Sequence, residues 1–325
     1  MGVDGSSLLI PPMDIVLLFP GQGSQKPGMG KDLVEAFPEA QAVFARADTI
    51  LGAPLSRLCF EGPADELTLT HNAQPALLAH GAAVWAVTRE RIARRVRAAA
   101  GHSLGEFTAY HAAGSLSFDD ALRIVRRRGE LMYESGVRRP GAMAALLGEM
   151  SASVEDVCAR ASAEEGLAVP ANYNCPGQIV ISGEVAGVER AMALAKEAGA
   201  KRAMRLNVSG AFHSPLMESA AEGLATALSA TAVQDPAFPV YANVDGQPVT
   251  TGRVAKDRLL SQLTSPVLWT QEVQALATRF PGALFVEMGP GSVLAGLVKK
   301  IAPHIKTATC GTVAEIEQLL GLVAS

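Results

Sequence analysis

The chain has 325 residues, 49% hydrophobic and 18% charged, with a formal net charge of −4. Such a length and composition suit one large globular domain, or one domain with an insert, and exclude wholesale disorder. The mild negative charge gives no reason to expect nucleic acid as a partner, although the basic run from Arg89 to Arg97 suits an acidic protein surface.

Four cysteines (Cys59, Cys158, Cys175 and Cys310) form no C-x-x-C pair and no metal-ligand spacing. Reduced thiols in a cytoplasmic protein without a bound metal are therefore expected. No apolar run approaches the roughly 18 residues that span a bilayer, so no membrane association is expected. Residues 1–14 lack a basic start, and Pro11-Pro12 interrupts their apolar patch. They read as a disordered leader, not as a signal peptide.

From Ile15 to Phe19 a continuous apolar run predicts a central parallel strand. It enters Pro20-Gly21-Gln22-Gly23-Ser24-Gln25 at once. This loop has neither the lysine and Ser/Thr of a P-loop nor the spacing of a dinucleotide site, so a backbone N–H aimed at an oxyanion is its better use. Helices are predicted over 32–51 and 74–92, the second with Trp85 and several alanines as core.

Gly101-His102-Ser103-Leu104-Gly105 then fits G-x-S-x-G, with a short apolar strand (Val96, Ala98 to Ala100) before it and helix formers from Glu106 to Ala113 after it. In that context the serine sits on a sharp strand-to-helix turn, and the glycines leave room beside its hydroxyl. The bland alternative is a glycine-flanked helix N-cap.

The helix predicted over 118–134, capped by Ser117, carries four arginines. Arg123 has Asp119 and Asp120 behind it, and Arg126 and Arg127 both reach Glu130. Arg128 instead faces Ile124, Val125, Leu131 and Met132. An unpaired buried charge costs several kcal/mol, roughly what a broken buried pair does, so it must find an anion: a structural carboxylate or part of a ligand.

Strand 142–147, helix 153–165, strands 167–173 and 178–182 joined at Pro176-Gly177, helix 185–198 and strand 201–208 follow. This is the ferredoxin-like βαββαβ order, predicting a small subdomain over 140–208 inserted into an α/β catalytic subdomain formed by 15–139 and 209–325. His213 lies in a loop just past the insert, where a cleft opens, and a serine nucleophile needs a general base. Strands are predicted over 238–243 and 283–288, the second leading into Gly289-Pro290-Gly291 and a helix ending near Lys299-Lys300.

Five stretches together, 19–25, 101–106, 172–174, 209–217 and 287–294, resemble the malonyl-CoA:acyl carrier protein transacylases of fatty-acid and polyketide synthesis. The resemblance runs from about residue 15 onward and implies an α/β-hydrolase-like core with a parallel sheet and a ferredoxin-like insert. It implies Ser103 as nucleophile, His213 as base oriented by the backbone carbonyl of Gln262, and the N–H groups of Gln22 and Leu104 as oxyanion hole. Arg128 would clamp the malonyl carboxylate, with Phe212, Gln22, His102, Asn172 and Asn174 as the rest of the substrate-binding set. Phe212 is the residue type that accompanies malonyl rather than methylmalonyl. Asn172 and Asn174 line the pantetheine entrance on this reading, or else satisfy the hairpin turn. Malonyl-CoA and phosphopantetheinylated acyl carrier protein are the implied partners, with no cofactor and a monomeric enzyme. A thioester hydrolase of the same fold is the first rival, which a pocket guanidinium disfavours. A trans-acting polyketide acyltransferase using another extender unit and a non-catalytic docking module are the others.

Overall fold

The computed structural model describes residues 13–324. Along them run ten strands: β1 (Ile15–Phe19), β2 (Val96–Gly101), β3 (Gly141–Leu147), β4 (Ala168–Cys175), β5 (Gln178–Glu184), β6 (Arg202–Arg205), β7 (Val240–Tyr241), β8 (Pro248–Val249), β9 (Leu284–Glu287) and β10 (Lys306–Thr309). The larger sheet has the order β10-β9-β1-β2-β7-β8, parallel except for the last pair. The unbroken apolar sequence of β1 is explained by its place. All five residues are buried, because helices cover both faces of a parallel sheet.

The smaller sheet is antiparallel, in the order β4-β5-β3-β6, with helices Val154–Glu164 and Val185–Glu197 packed on it around a separate apolar cluster. Counted within this unit the order is 2-3-1-4, the ferredoxin-like arrangement predicted from the element sequence.

Several expected elements differ. The helix expected over 32–51 is two helices, Lys31–Ala36 and Pro38–Leu51. Phe37 precedes a proline and is pushed to an extended conformation (φ −130°, ψ 120°), so it ends one helix and starts the next. The expected strand over 238–243 pairs only at Val240–Tyr241, since Pro239 has no N–H to give, although its carbonyl accepts from Ala99 N. The strand over 201–208 shrinks to Arg202–Arg205, and the helix after His213 begins with a 3₁₀ turn, Pro215–Met217. Of the expected leader, residues 1–12 lie outside the described residues. Met13 and Asp14, by contrast, are tied down: Met13 packs on the main core, and Asp14 accepts from Leu284 N and pairs with Arg97 at 2.7 Å. Among the described residues no helix is long and apolar enough to cross a membrane.

The parallel strands bring four loops to one edge of the sheet. β1 ends at Pro20-Gly21-Gln22, β2 at Ser103, β7 at Ala242-Asn243 and β9 at Met288-Gly289. The carboxyl ends of parallel strands are where α/β folds place their sites.

Candidate active site

The turn after β2 is sterically determined by its two glycines. A Cβ on Gly101 would lie 2.0 Å from Gly105, and one on Gly105 would lie 2.0 Å from the Phe19 carbonyl oxygen. The turn thus seats directly against β1, and Ser103 is forced to φ 52°. His213 has φ 57°, and these two are the only non-glycine residues with positive φ among the described residues. Strain of about 1–3 kcal/mol at each position persists only where surrounding contacts over-determine the backbone.

The two side chains meet: Ser103 Oγ lies 2.8 Å from His213 Nε2. On the other side of the ring, Nδ1 lies 3.0 Å from the Gln262 carbonyl and 3.2 Å from that of Ser265. Carbonyls only accept, so Nδ1 carries the proton and Nε2 is left to accept from the serine hydroxyl. Burial, followed by the nearby Arg128 charge, pushes His213 down to about 3, so the imidazole is neutral in the free protein, with Nε2 free to accept a proton.

Arg128, on the helix Phe118–Arg138, is 1% exposed. Its neighbours on the exposed face pair as their spacing requires: Arg123 with Asp119 and Asp120, Arg126 with Glu130, Arg127 with Glu130 and Glu134. Arg128 turns inward, donating to Gln74 Oε1 at 2.8 Å, Gln262 Oε1 at 2.9 Å and Ser103 Oγ at 3.1 Å, with Phe107 against its guanidinium. No carboxylate pairs with it among the described residues, and its Nε has no partner. Burial lowers it to about 10, which leaves it cationic at neutral pH. Of the two anions left open by the sequence, no structural carboxylate pairs with it directly: Glu106 raises it through space but is separated from it by the Gln262 amide, which bonds both.

Beneath the serine lies a polar layer. Asn243 Oδ1 accepts from Ser103 N at 2.8 Å, and its Nδ2 donates to the Gly101 carbonyl at 2.7 Å and to Glu272 Oε1 at 3.0 Å. Gln262 Nε2 donates to the Ser103 carbonyl at 2.9 Å and to Glu106 Oε2 at 2.7 Å. Burial raises Glu106 to about 7 and Glu272 well above the ordinary carboxyl range. Gln74, Asn243 and Glu272 were not found from sequence. A buried amide or carboxyl has no spacing signature, and only its occurrence beside an apolar run marks it.

The remaining sequence candidates differ in how close they come to the serine. Leu104 precedes the helix Gly105–Ala112, where an N–H has no intrahelical acceptor. The Gln22 loop lies against the turn, since a Cβ on Gly21 would be 2.5 Å from the His102 carbonyl oxygen, and Gln22 Nε2 donates to Thr70 Oγ1 at 3.3 Å. A cleft of about 370 Å³ runs from Gln22 along Thr70, Asn207 and Ser209. A larger cavity, about 1170 Å³ around Trp85 and Phe238, contains none of these residues and lies away from the serine.

His102 lies against the Gln22 loop, its Nδ1 next to Gly21. Its Nε2 donates to Asn174 Oδ1 at 2.8 Å and its ring tilts against Trp269. The Asn174 side-chain oxygen is thus engaged by His102 and not by the hairpin turn. Asn172 is buried on β4, bridging to Val267. Phe212 is buried in the main core, its ring edge against Gly210.

Residues 16–316 match the acyl transferase domain family. A curated relative, the malonyl CoA-acyl carrier protein transacylase of Bacillus subtilis, is 49% identical over 293 residues, covering 90% of this chain and 92% of its own. The crystal structure of an acyl-carrier-protein-S-malonyltransferase from Bartonella henselae superposes with a TM-score of 0.91 at 42% identity, covering 96% of this chain and all of that one. A malonyl-transacylase solved in complex with a holo type II polyketide synthase acyl carrier protein gives 0.90 at 39% identity, covering 95% of this chain and 99% of its own. On sequence and fold alike, the chain belongs to the acyl transferase domain family, among the malonyl-CoA:acyl carrier protein transacylases.

Proposed function

We propose that this protein moves the malonyl group from malonyl-CoA to the phosphopantetheine thiol of acyl carrier protein, acting as a monomer in the cytoplasm. One observation carries the reading. The Ser103 hydroxyl sits between a neutral imidazole at 2.8 Å and a buried guanidinium at 3.1 Å that no carboxylate bonds directly. An acyl group ending in a carboxylate supplies the missing anion, and a bidentate Arg–carboxylate pair fixes its orientation.

His213 Nε2 takes the Ser103 proton as Oγ attacks the thioester carbonyl. The Gln262 carbonyl steadies the imidazolium that forms, less strongly than a carboxylate would. Backbone N–H groups of Gln22 and Leu104 hold the tetrahedral oxyanion, each contributing roughly 10²- to 10³-fold in rate. As the intermediate collapses, the carbon–sulfur bond breaks and the His213 proton passes to the departing CoA thiolate. The guanidinium exchanges its bond to the hydroxyl for bonds to the malonyl carboxylate. The pantetheine thiol then enters past Gln22, His102, Asn172 and Asn174, gives its proton to His213 and attacks the acyl carbon; as the carbon–Oγ bond breaks, that proton passes to Ser103 Oγ and the malonyl group leaves on the thiol. Phe212 narrows the acyl side of the pocket and favours malonyl over methylmalonyl, a discrimination worth about 1–3 kcal/mol for one methylene.

Incubation with malonyl-CoA is expected to leave one malonyl adduct on Ser103, visible by mass and absent from Ser103→Ala. An adduct that persists in Ser103→Ala overturns the assignment. Release of free malonate at the same rate with and without carrier protein would make the enzyme a hydrolase instead.

A further inference from the structure

We infer that Asn243 is a positioning residue for the nucleophile, one that determines which backbone N–H of the serine turn faces the cleft. The inference rests on the acyl-transfer reading above. Asn243 reaches the turn from beyond β7, 140 residues along the chain from Ser103. Its amide bonds both sides of the turn at once: Oδ1 accepts from Ser103 N at 2.8 Å, and Nδ2 donates to Gly101 O at 2.7 Å. The orientation is unambiguous, because Ser103 N only donates and Gly101 O only accepts.

Asn243 is itself held on all sides. Its Nδ2 also donates to Glu272 Oε1, its backbone N donates to Glu106 Oε2 at 3.2 Å, and its carbonyl accepts from Leu268 N at 2.8 Å. It is fully buried. The consequence for chemistry concerns the oxyanion. With the Ser103 N–H claimed from below, the next N–H along the chain, that of Leu104, is the one left for the substrate side. Asn243 also restrains Ser103 at its strained φ of 52°. Without it the peptides on either side of Ser103 are free to rotate, and Oγ and the Leu104 N–H lose their joint aim.

The test uses Asn243→Ala and Asn243→Asp, with acylation of Ser103 by malonyl-CoA followed by rapid quench and mass, and KM measured alongside. For Asn243→Ala the acylation rate is expected to fall about 10²-fold, the penalty of a misplacement near 1 Å, while KM for malonyl-CoA stays within threefold. Asn243→Asp keeps the shape and the acceptor. Its new carboxyl would face Glu106 and Glu272, with Tyr110 acting on both, Asp245 adding negative charge to the same pair while itself bonded to Arg258 at 2.7 Å, and Arg128 beyond Gln262. Burial among carboxyls keeps it protonated well above its ordinary range, and only the protonated form donates to Gly101 O. The ratio of its acylation rate to wild type is therefore expected to fall at least tenfold from pH 6 to pH 9.

Acylation within threefold of wild type in Asn243→Ala, or a loss that appears wholly in KM, overturns the inference. If Asn243→Ala does not fold, a flat rate ratio for Asn243→Asp overturns it alone. A wild-type protein that forms no malonyl adduct refutes the function itself, whereas equal adduct formation in wild type and both variants refutes only the positioning.

Discussion

Replacing Arg128 by methionine separates what the guanidinium does for stability from what it does for the substrate. The cation is 1% exposed and is held by two amide oxygens and a hydroxyl, not by a carboxylate. Three neutral acceptors do not repay the desolvation of a buried charge, so an apolar chain of similar length is expected to leave stability unchanged or to raise it by about 1–4 kcal/mol. The loss of the donor to Gln74 and to Gln262 opposes that gain by about 1–3 kcal/mol for each acceptor left unsatisfied. Over the two amides the opposing effect is the larger, so the thermal midpoint is expected at wild type or a few degrees below it. The effect on malonyl-CoA is of the opposite kind. Removing one partner of a buried, hydrogen-bonded charge pair costs about 2–5 kcal/mol, or about 30- to 5,000-fold in kcat/KM. A third effect falls on His213, whose basicity the Arg128 charge suppresses after burial has done so. Its protonation should move to higher pH in Arg128→Met, and with it the acid limb of kcat/KM. Acylation by malonyl-CoA, melting, and the pH profile of both proteins test this together. A variant that melts with wild type and keeps malonyl-CoA kcat/KM within threefold would refute the assignment of the carboxylate to Arg128.

Other substitutions probe the supporting contacts. Gln262→Ala removes an acceptor from Arg128 but keeps the main-chain carbonyl on His213 Nδ1, so kcat/KM should fall about tenfold, against roughly 10²- to 10⁴-fold for His213→Ala. Equal losses in the two variants would mean that the carbonyl does not act independently of its side chain. Gly105→Ala drives a methyl into the Phe19 carbonyl and should lower stability by about 1–3 kcal/mol or more, read from denaturant unfolding. In wild type the free-enzyme acid limb from His213, pushed down to about 3, should leave kcat/KM for malonyl-CoA flat between pH 8 and pH 5. Glu106 gives the opposite sign in stability. Its folded value is raised from 4.5 to about 7, so its contribution is complete below 4.5 and is lost as pH rises through 7. Glu106→Gln should therefore gain up to about 3 kcal/mol on wild type at pH 8 compared with pH 4.5, seen as a difference in urea midpoints.

Patterning alone determined much of this protein, because the relevant forces act locally. The apolar run at Ile15–Phe19 could only be a doubly covered strand, and the two glycines around Ser103 admit a backbone approach that any Cβ would block. The 3.6-residue repeat left Arg128 without a helical partner, which marked it as a cation seeking a distant anion. Other features came from contacts between residues far apart in sequence. No spacing rule links Asn243 to Ser103 or Gln74 to Arg128, since polar pairs 140 and 54 residues apart meet only once distant elements pack together. The split at Phe37-Pro38 was visible in the proline yet hidden by a continuous apolar repeat. Above all, the closure of His213 on Ser103 joins the turn after β2 to a loop 110 residues further along the chain, held there by the carbonyls of Gln262 and Ser265. Local chemistry chose the reacting groups, and chain topology set the 2.8 Å between them.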